Sequence, residues 1–273
     1  MYTVIYHANC ADGFTAAWCF YRSYRNNIAF HPGVYGQEPP DVTDKYVFLV
    51  DFSYPKAVIL DMLSKAKGVT ILDHHITAIE DLKDLHHEKL LKIFDTEKSG
   101  ATLAWDYCFS NMPRPKLIEH IEDRDLWRFK LPLTRQIQAA VFSYEYTFEN
   151  WDKLIDMDVM RLAEDGFCLE RKHMKDINEL LKVCERRMTI GGYNVPVASL
   201  PYTMVSDAAN IMALKSEPFA ACYYDTADHR VFGLRSNANH GLDVSKVAAA
   251  YGGGGHKHAA GFRVPRNHEL AVS

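Results

Sequence analysis

The chain has 273 residues, 48% hydrophobic and 24% charged, with a formal net charge of −4. That length suits two domains of ordinary size better than one minimal domain, and the balance is that of a globular protein rather than a disordered tail. No stretch approaches the roughly 18–20 uncharged apolar residues of a membrane span, the six scattered cysteines form no C-x-x-C pair, and net acidity argues against a partner such as long duplex nucleic acid.

The opening "MYTVIYHANC" has no basic n-region and runs directly into a strand pattern over residues 2–6, so no secretion signal is read and a cytoplasmic location is expected. "DGFTAAWCFYRSY" follows with apolar residues at helical spacing. The same succession recurs in "KYVFLVDFS" (45–53) and "YPKAVILDMLSKAKG" (54–68), where Pro55 suits a first helical turn and Gly68 a stop. A third unit starts with "VTILDHH". Strands alternating with helices in this way predict a parallel sheet covered by helices on both faces, with ligands gathered beyond the carboxyl ends of the strands.

From "SGATLAWDYCFS" (99–110) to about residue 162 the pattern is mostly helical, and "EDGFCLERKHMKDINELLKVCERR" (164–187) reads as a long charged linking helix. "IGGYNVPVASLP" then switches to strand and turn chemistry, and "FAACYYDTADHRVFGLRS" (219–236) predicts a hairpin turning near Thr226 to His229. The expected organisation is an α/β domain over 1–163, a helical linker over 164–188 and a smaller α+β domain over 189–273.

Four acid or histidine clusters fall after strands or before helices: "HANCADG" (7–13), "VDFS" (50–53), "DHH" (73–75) and "EDRDLW" (122–127). Adjacent strand ends would bring three of them to one rim, and a rim of aspartates and histidines without lysines repels itself unless divalent cations neutralise it. Carboxylates mixed with imidazoles suit manganese first, with magnesium, zinc, iron or cobalt as alternatives. Two such ions about 3.5–4 Å apart suit in-line attack of an activated water at phosphorus. Near the C-terminus, "YGGGGHKHAAGF" (251–262) fails the P-loop pattern, because no Ser or Thr follows Lys257. Its glycines would still let backbone N–H groups approach an anion, with His256, Lys257 and Arg235 adding charge.

"LDHH" at 72–75, together with "HANCADG", "VDFS", "EDRDLWRF" and the C-terminal "RSN…GGGGHKHAAGF", resembles the DHH phosphoesterase superfamily with its associated C-terminal domain. That group includes nanoRNases, RecJ-type exonucleases, cyclic-dinucleotide phosphodiesterases and, more distantly, manganese pyrophosphatases. The resemblance implies that His7 holds a first metal and Asp12 a second, that Asp51 bridges them, that His74 ligates the second, and that His75 faces the scissile phosphate. In the fourth motif Asp123 matches best, with Asp125 as its rival. Arg235, Ser236, Gly254, Gly255 and His256 match the residues that grip a substrate phosphate. Cys10 stands where many relatives carry an aspartate ligand: either its thiolate joins the first metal, or it packs beneath the site. His86 and His87 are read as solvated, and Trp127, Tyr223 and Tyr224 as packing residues.

The expected function is hydrolysis of short oligonucleotides or dinucleotides to mononucleotides by a metal-dependent phosphodiesterase with two divalent cations. Hydrolysis of cyclic dinucleotides or nucleotide bisphosphates is the alternative, and a catalytically weakened nucleotide-binding module is the reading from another class. A homodimer stays open.

Overall fold

The computed structural model describes residues 1–272. The chain divides into two compact units, Met1–Glu170 and the remainder from Arg171.

The first unit is built on β1 (Tyr2–His7), α1 (Ala11–Tyr24), β2 (Ile28–Gly33), β3 (Tyr46–Val50), α2 (Lys56–Lys65), β4 (Gly68–Asp73), α3 (Ile76–Leu82) and β5 (Leu90–Phe94). The strands form a parallel sheet of order β2-β1-β3-β4-β5. Alternation along each strand sends side chains to opposite faces. Val4, Phe48, Val50 and Leu72 enter one core with α1, whereas Ile5, Leu49, Val69 and Ile71 enter another with Ile59, Met62 and Leu63 of α2. Burying each such aliphatic side chain contributes roughly 1.5–3 kcal/mol. Both faces are therefore covered, as the continuous apolar strands require.

Four shorter helices follow: α4 (Gly100–Cys108), α5 (Lys116–Asp125), α6 (Thr134–Val141) and α7 (Phe148–Asp156). They thicken the first core, where Trp151 is fully buried and its indole N–H donates to Thr15 Oγ1 at 2.8 Å. Helix α8 (Val159–Cys184) starts in this unit, with Leu162 and Ala163 in the same core.

The second unit holds the end of α8, then β6 (Arg186–Ile190), β7 (Tyr193–Ser199), α9 (Val205–Ala213), β8 (Ala220–Asp225), β9 (His229–Arg235), α10 (Val244–Ala249), β10 (Gly254–His256), β11 (Ala259–Pro265) and α11 (Glu269–Val272). Its sheet has the order β10-β11-β9-β8-β7-β6 and is antiparallel except for the β7–β8 pair, which α9 connects. The predicted hairpin is present: β8 and β9 pair antiparallel, and Thr226 and His229 bond across the turn. One face packs Val195, Val197 and Phe232 against α10 and α11; the other packs Ala198, Ala220 and Cys222 against α9 and Ile177 and Leu181 of α8.

No helix among the described residues is long and apolar enough to cross a membrane.

Candidate metal centre

In the first unit the strand order changes direction between β1 and β3, and such a switch opens a crevice beyond the carboxyl ends of the two strands. His7 closes β1, Asp51 directly follows β3, and Asp73 closes β4. Register fixes their relative height, since Tyr6 pairs with Val50 and Val50 with Leu72. Asp51 itself has φ 54°, the left-handed region that a non-glycine residue enters at a cost of about 1–2 kcal/mol. Its N–H still donates to Leu72 O at 2.9 Å, so the neighbouring strand holds the unusual backbone in place. Strain of this sort gathers at functional sites.

The side chains converge. His74 Nε2 lies 3.0 Å from Asp51 Oδ1, 3.5 Å from Asp125 Oδ2 and 3.9 Å from Asp12 Oδ2. On the other side, His7 Nδ1 lies 3.5 Å from Asp51 Oδ2. Two potential ligand sets result, Asp12/Asp51/His74 and His7/Asp51/His75, each with its ligand atoms within 4.8 Å of one another. Asp51 belongs to both, and its two oxygens face different partners.

Two of the candidate ligands, Asp12 and His75, are aimed by neighbours. The Asp12 carboxylate accepts from Gly100 N at 2.6 Å and Ala101 N at 3.1 Å, the first amides of α4. Only glycine fits there: a Cβ at Gly100 would come within 2.8 Å of Asp51 Cγ and 2.9 Å of Asp12 Oδ2. Ser99 caps the same helix by accepting from Thr102 N. Asp73 joins neither ligand set; instead it accepts from Ser53 Oγ at 2.6 Å, His74 N at 2.8 Å and His75 N at 3.2 Å. The remaining contact is His75 Nδ1 at 2.7 Å from Asp73 Oδ1, which in the neutral ring makes Nδ1 the donor and Nε2 the basic nitrogen.

Electrostatics explain why this cluster suits cations. Burial, reinforced by the charges of Asp51 and Asp125, pushes the Asp12 carboxyl well above its usual range. Asp125 is likewise raised, by burial first and against the pull of His74. Burial would also raise Asp51, but hydrogen bonds from His7 and His74 outweigh it and hold it low. His74 shows the reverse: burial opposes its charge, yet Asp51, Asp125 and Asp12 lift its pKa to about 10. Among the described residues the ion-pair partners of Asp12, Asp51 and Asp125 are histidines. Divalent cations would relieve this repulsion, and the donors fit a borderline ion.

In the fourth motif the two candidate acids take different partners. The Asp123 carboxylate is engaged by Lys130 N at 2.8 Å, Leu131 N at 3.1 Å and Thr134 Oγ1 at 2.6 Å, so it folds the 127–134 segment, in which Trp127, Phe129 and Leu133 take positive φ. Asp125, two residues on, is the acid that reaches His74. Cys10 joins neither ligand set. His86 and His87 are exposed, and Trp127 packs edge-on to Phe129 beneath Arg124.

In the second unit Arg235 closes β9, and its guanidinium donates to Ser206 Oγ at 2.7 Å and Leu234 O at 2.8 Å. Ser236 is buried, with Oγ 2.8 Å from His258 Nδ1. The glycine run does two structural jobs. Gly252, at φ 75°, ends α10: Gly252 N donates to Ala249 O and Gly253 N to Ala248 O, a Schellman closure. Gly254 and Gly255 then start β10, where Gly255 pairs with Ala260 and His256 with Ala259.

No model of a known protein family matches the chain. It is 29% identical to an uncharacterized protein of Acanthamoeba polyphaga mimivirus, over 95% of this chain and 66% of that one, so it spans a little under two thirds of that relative's length. The solved structure of PggH, a pGpG-specific phosphodiesterase from Vibrio cholerae, is similar with a TM-score of 0.51, covering 100% of this chain and 96% of that one at 15% identity. The two share a fold. The parallel sheet, its helical layers and the smaller second sheet are thus an architecture that a phosphodiesterase also uses.

Proposed function

We propose that this chain is a metal-dependent phosphodiesterase that hydrolyses a dinucleotide or short oligonucleotide to mononucleotides. The observation that carries the reading is the buried meeting of Asp12, Asp51 and His74, with Asp125 beside them and His7 and His75 sharing the second oxygen side of Asp51. The fold shared with a phosphodiesterase named for pGpG supports a dinucleotide as the substrate class.

Divalent cations, when bound, would polarise the phosphoryl group and lower the pKa of a coordinated water. The protein's own part is orientation. Asp51 would bridge the two ions through its separate oxygens, His7 and the Asp12/His74 pair would each complete one side, and Asp125 would replace Asp123 as the fourth acid. His75, fixed by Asp73, would present Nε2 to the phosphate undergoing cleavage. In the second unit Arg235, Ser236, Gly254, Gly255 and His256 are assigned to binding a substrate phosphate, a task a local pocket can perform despite the net charge of −4.

The test is a substrate panel: a 5′-phosphorylated dinucleotide, a cyclic dinucleotide and an adenosine bisphosphate, each with manganese, magnesium and zinc. Turnover of the linear dinucleotide above the other two supports the reading. Preference for the cyclic compound or the bisphosphate reassigns the substrate, and nucleotide binding without turnover under any cation makes the chain a binding module.

A further inference from the structure

Beside the candidate metal cluster, one aromatic side chain is only partly accounted for by its packing. Tyr35 lies in the connection after β2. Gln37 N donates to Val34 O at 3.0 Å and Gly36 has φ 77°, the pattern of a type II turn with Tyr35 at its first corner. Proline is common at that position, yet it carries a large aromatic residue that remains 45% exposed. Its hydroxyl makes no hydrogen bond among the described residues. The ring is nevertheless held: it lies 4.7 Å from the fully buried Phe52, 5.5 Å from the His7 ring in an edge contact and 6.4 Å from the His75 ring. Gly33 lets this ledge form, because a Cβ there would approach the Phe52 ring to 2.9 Å.

We propose that Tyr35 is a substrate-contact residue whose exposed ring stacks on the nucleobase adjoining the phosphate that faces His75. The proposal rests on the phosphodiesterase reading and adds a base subsite to it. A base is one sugar away from its phosphate, so a phosphate facing His75 beside the His7 ion site brings a base to the neighbouring ring. The supporting floor of Phe52 and the edge of His7 restrict the ring's freedom, which lowers the ordering cost of stacking. Every base has a π-face, so the contact tightens binding of nucleotides generally without reading sequence.

The experiment uses the full chain and dinucleotides carrying the fluorescent base 2-aminopurine at either position, with magnesium present, alongside steady-state turnover. Binding to the native protein is expected to quench the fluorophore at one position, Tyr35→Phe to preserve the quench, and Tyr35→Leu to remove it. KM for the intact dinucleotide should rise on the order of 5- to 150-fold in Tyr35→Leu, the span of a single base–aromatic stack. An analogue lacking that base should show the same rise with the native protein and no further rise with Tyr35→Leu. Equal penalties on intact and abasic substrates would overturn the proposal, as would loss of the quench in Tyr35→Phe, which would make the hydroxyl the contact. A Tyr35-dependent quench without turnover under any cation would leave the base subsite standing and refute hydrolysis instead.

Discussion

His74 Nε2 sits 3.0 Å from Asp51 Oδ1, and both side chains are almost completely shut away from solvent. Attraction at that depth is set against the cost of desolvating both groups. With Asp12 the two groups bring ligand atoms within 4.8 Å of one another, close enough to hold one cation in common.

Asp51→Ala should therefore remove manganese-dependent turnover, by more than the 10–100-fold typical of residues that merely orient a ligand. Calorimetric titration with manganese should show the binding isotherm lost or reduced to a single weak event. Near-native turnover in this variant would refute the bridging assignment.

Asp123→Asn and Asp125→Asn should separate cleanly, although the two residues are neighbours. The first weakens hydrogen bonds from Lys130, Leu131 and Thr134, and denaturant unfolding should report a loss of about 1–3 kcal/mol with metal binding largely kept. The second should spare the fold and weaken metal binding and turnover. The opposite pairing of effects would return Asp123 to the ligand set.

Gly100→Ala introduces a methyl group where Asp51 and Asp12 already lie. The crowding should cost about 1–3 kcal/mol and weaken metal affinity together, since the same amide positions the Asp12 carboxylate. Unchanged affinity in a folded Gly100→Ala protein would show that the start of α4 does not aim this ligand.

Chelated protein should lose stability as the medium becomes alkaline. His74 titrates near 10 when folded, against about 6.5 when unfolded, so its contribution is complete below about pH 6.5 and disappears as the pH rises through 10. Thermal melts in EDTA should fall across that window. Added manganese should restore more stability at the upper end, where fewer protons compete for the imidazole. A melting temperature that is flat from pH 6.5 to 10 in EDTA would contradict this.

Much of the first unit was legible because β1, β3 and β4 are short apolar runs that end in, or lead directly into, an acid or a histidine, which is how a buried parallel strand delivers a side chain to a rim. The outer strands were not: β2 contains His31 and Pro32 and β5 contains Lys92, and edge strands lack the two-sided burial that makes a run continuous. Asp123 and Asp125 differ by about 200° around α5. Only the packing of that helix decides which of them meets His74. The cradle at Ser99 and Gly100 lies 88 residues from Asp12, beyond any local pattern, although Ser-Gly before "ATLAW" is a visible cap signal. Aspartate 73 reads as part of a motif, and its work of orienting His75 emerges from the hydrogen bonds. The four glycines suggest an anion loop, and what local pattern does not show is that the backbone also uses two of them to end a helix and two to begin a strand.

The pairing of Tyr6 with Val50 and of Val50 with Leu72 makes the interior of the sheet a ruler for the chemistry at its rim. Deleting one residue within β3 would turn Leu49 and Val50 toward the wrong layers, and the same slip would draw Asp51 back by about 3.3 Å. Apolar side chains with no ligand atoms of their own thus set where a carboxylate stands, so a slip in this core would disturb both the folding of the sheet and the spacing of the candidate metal cluster.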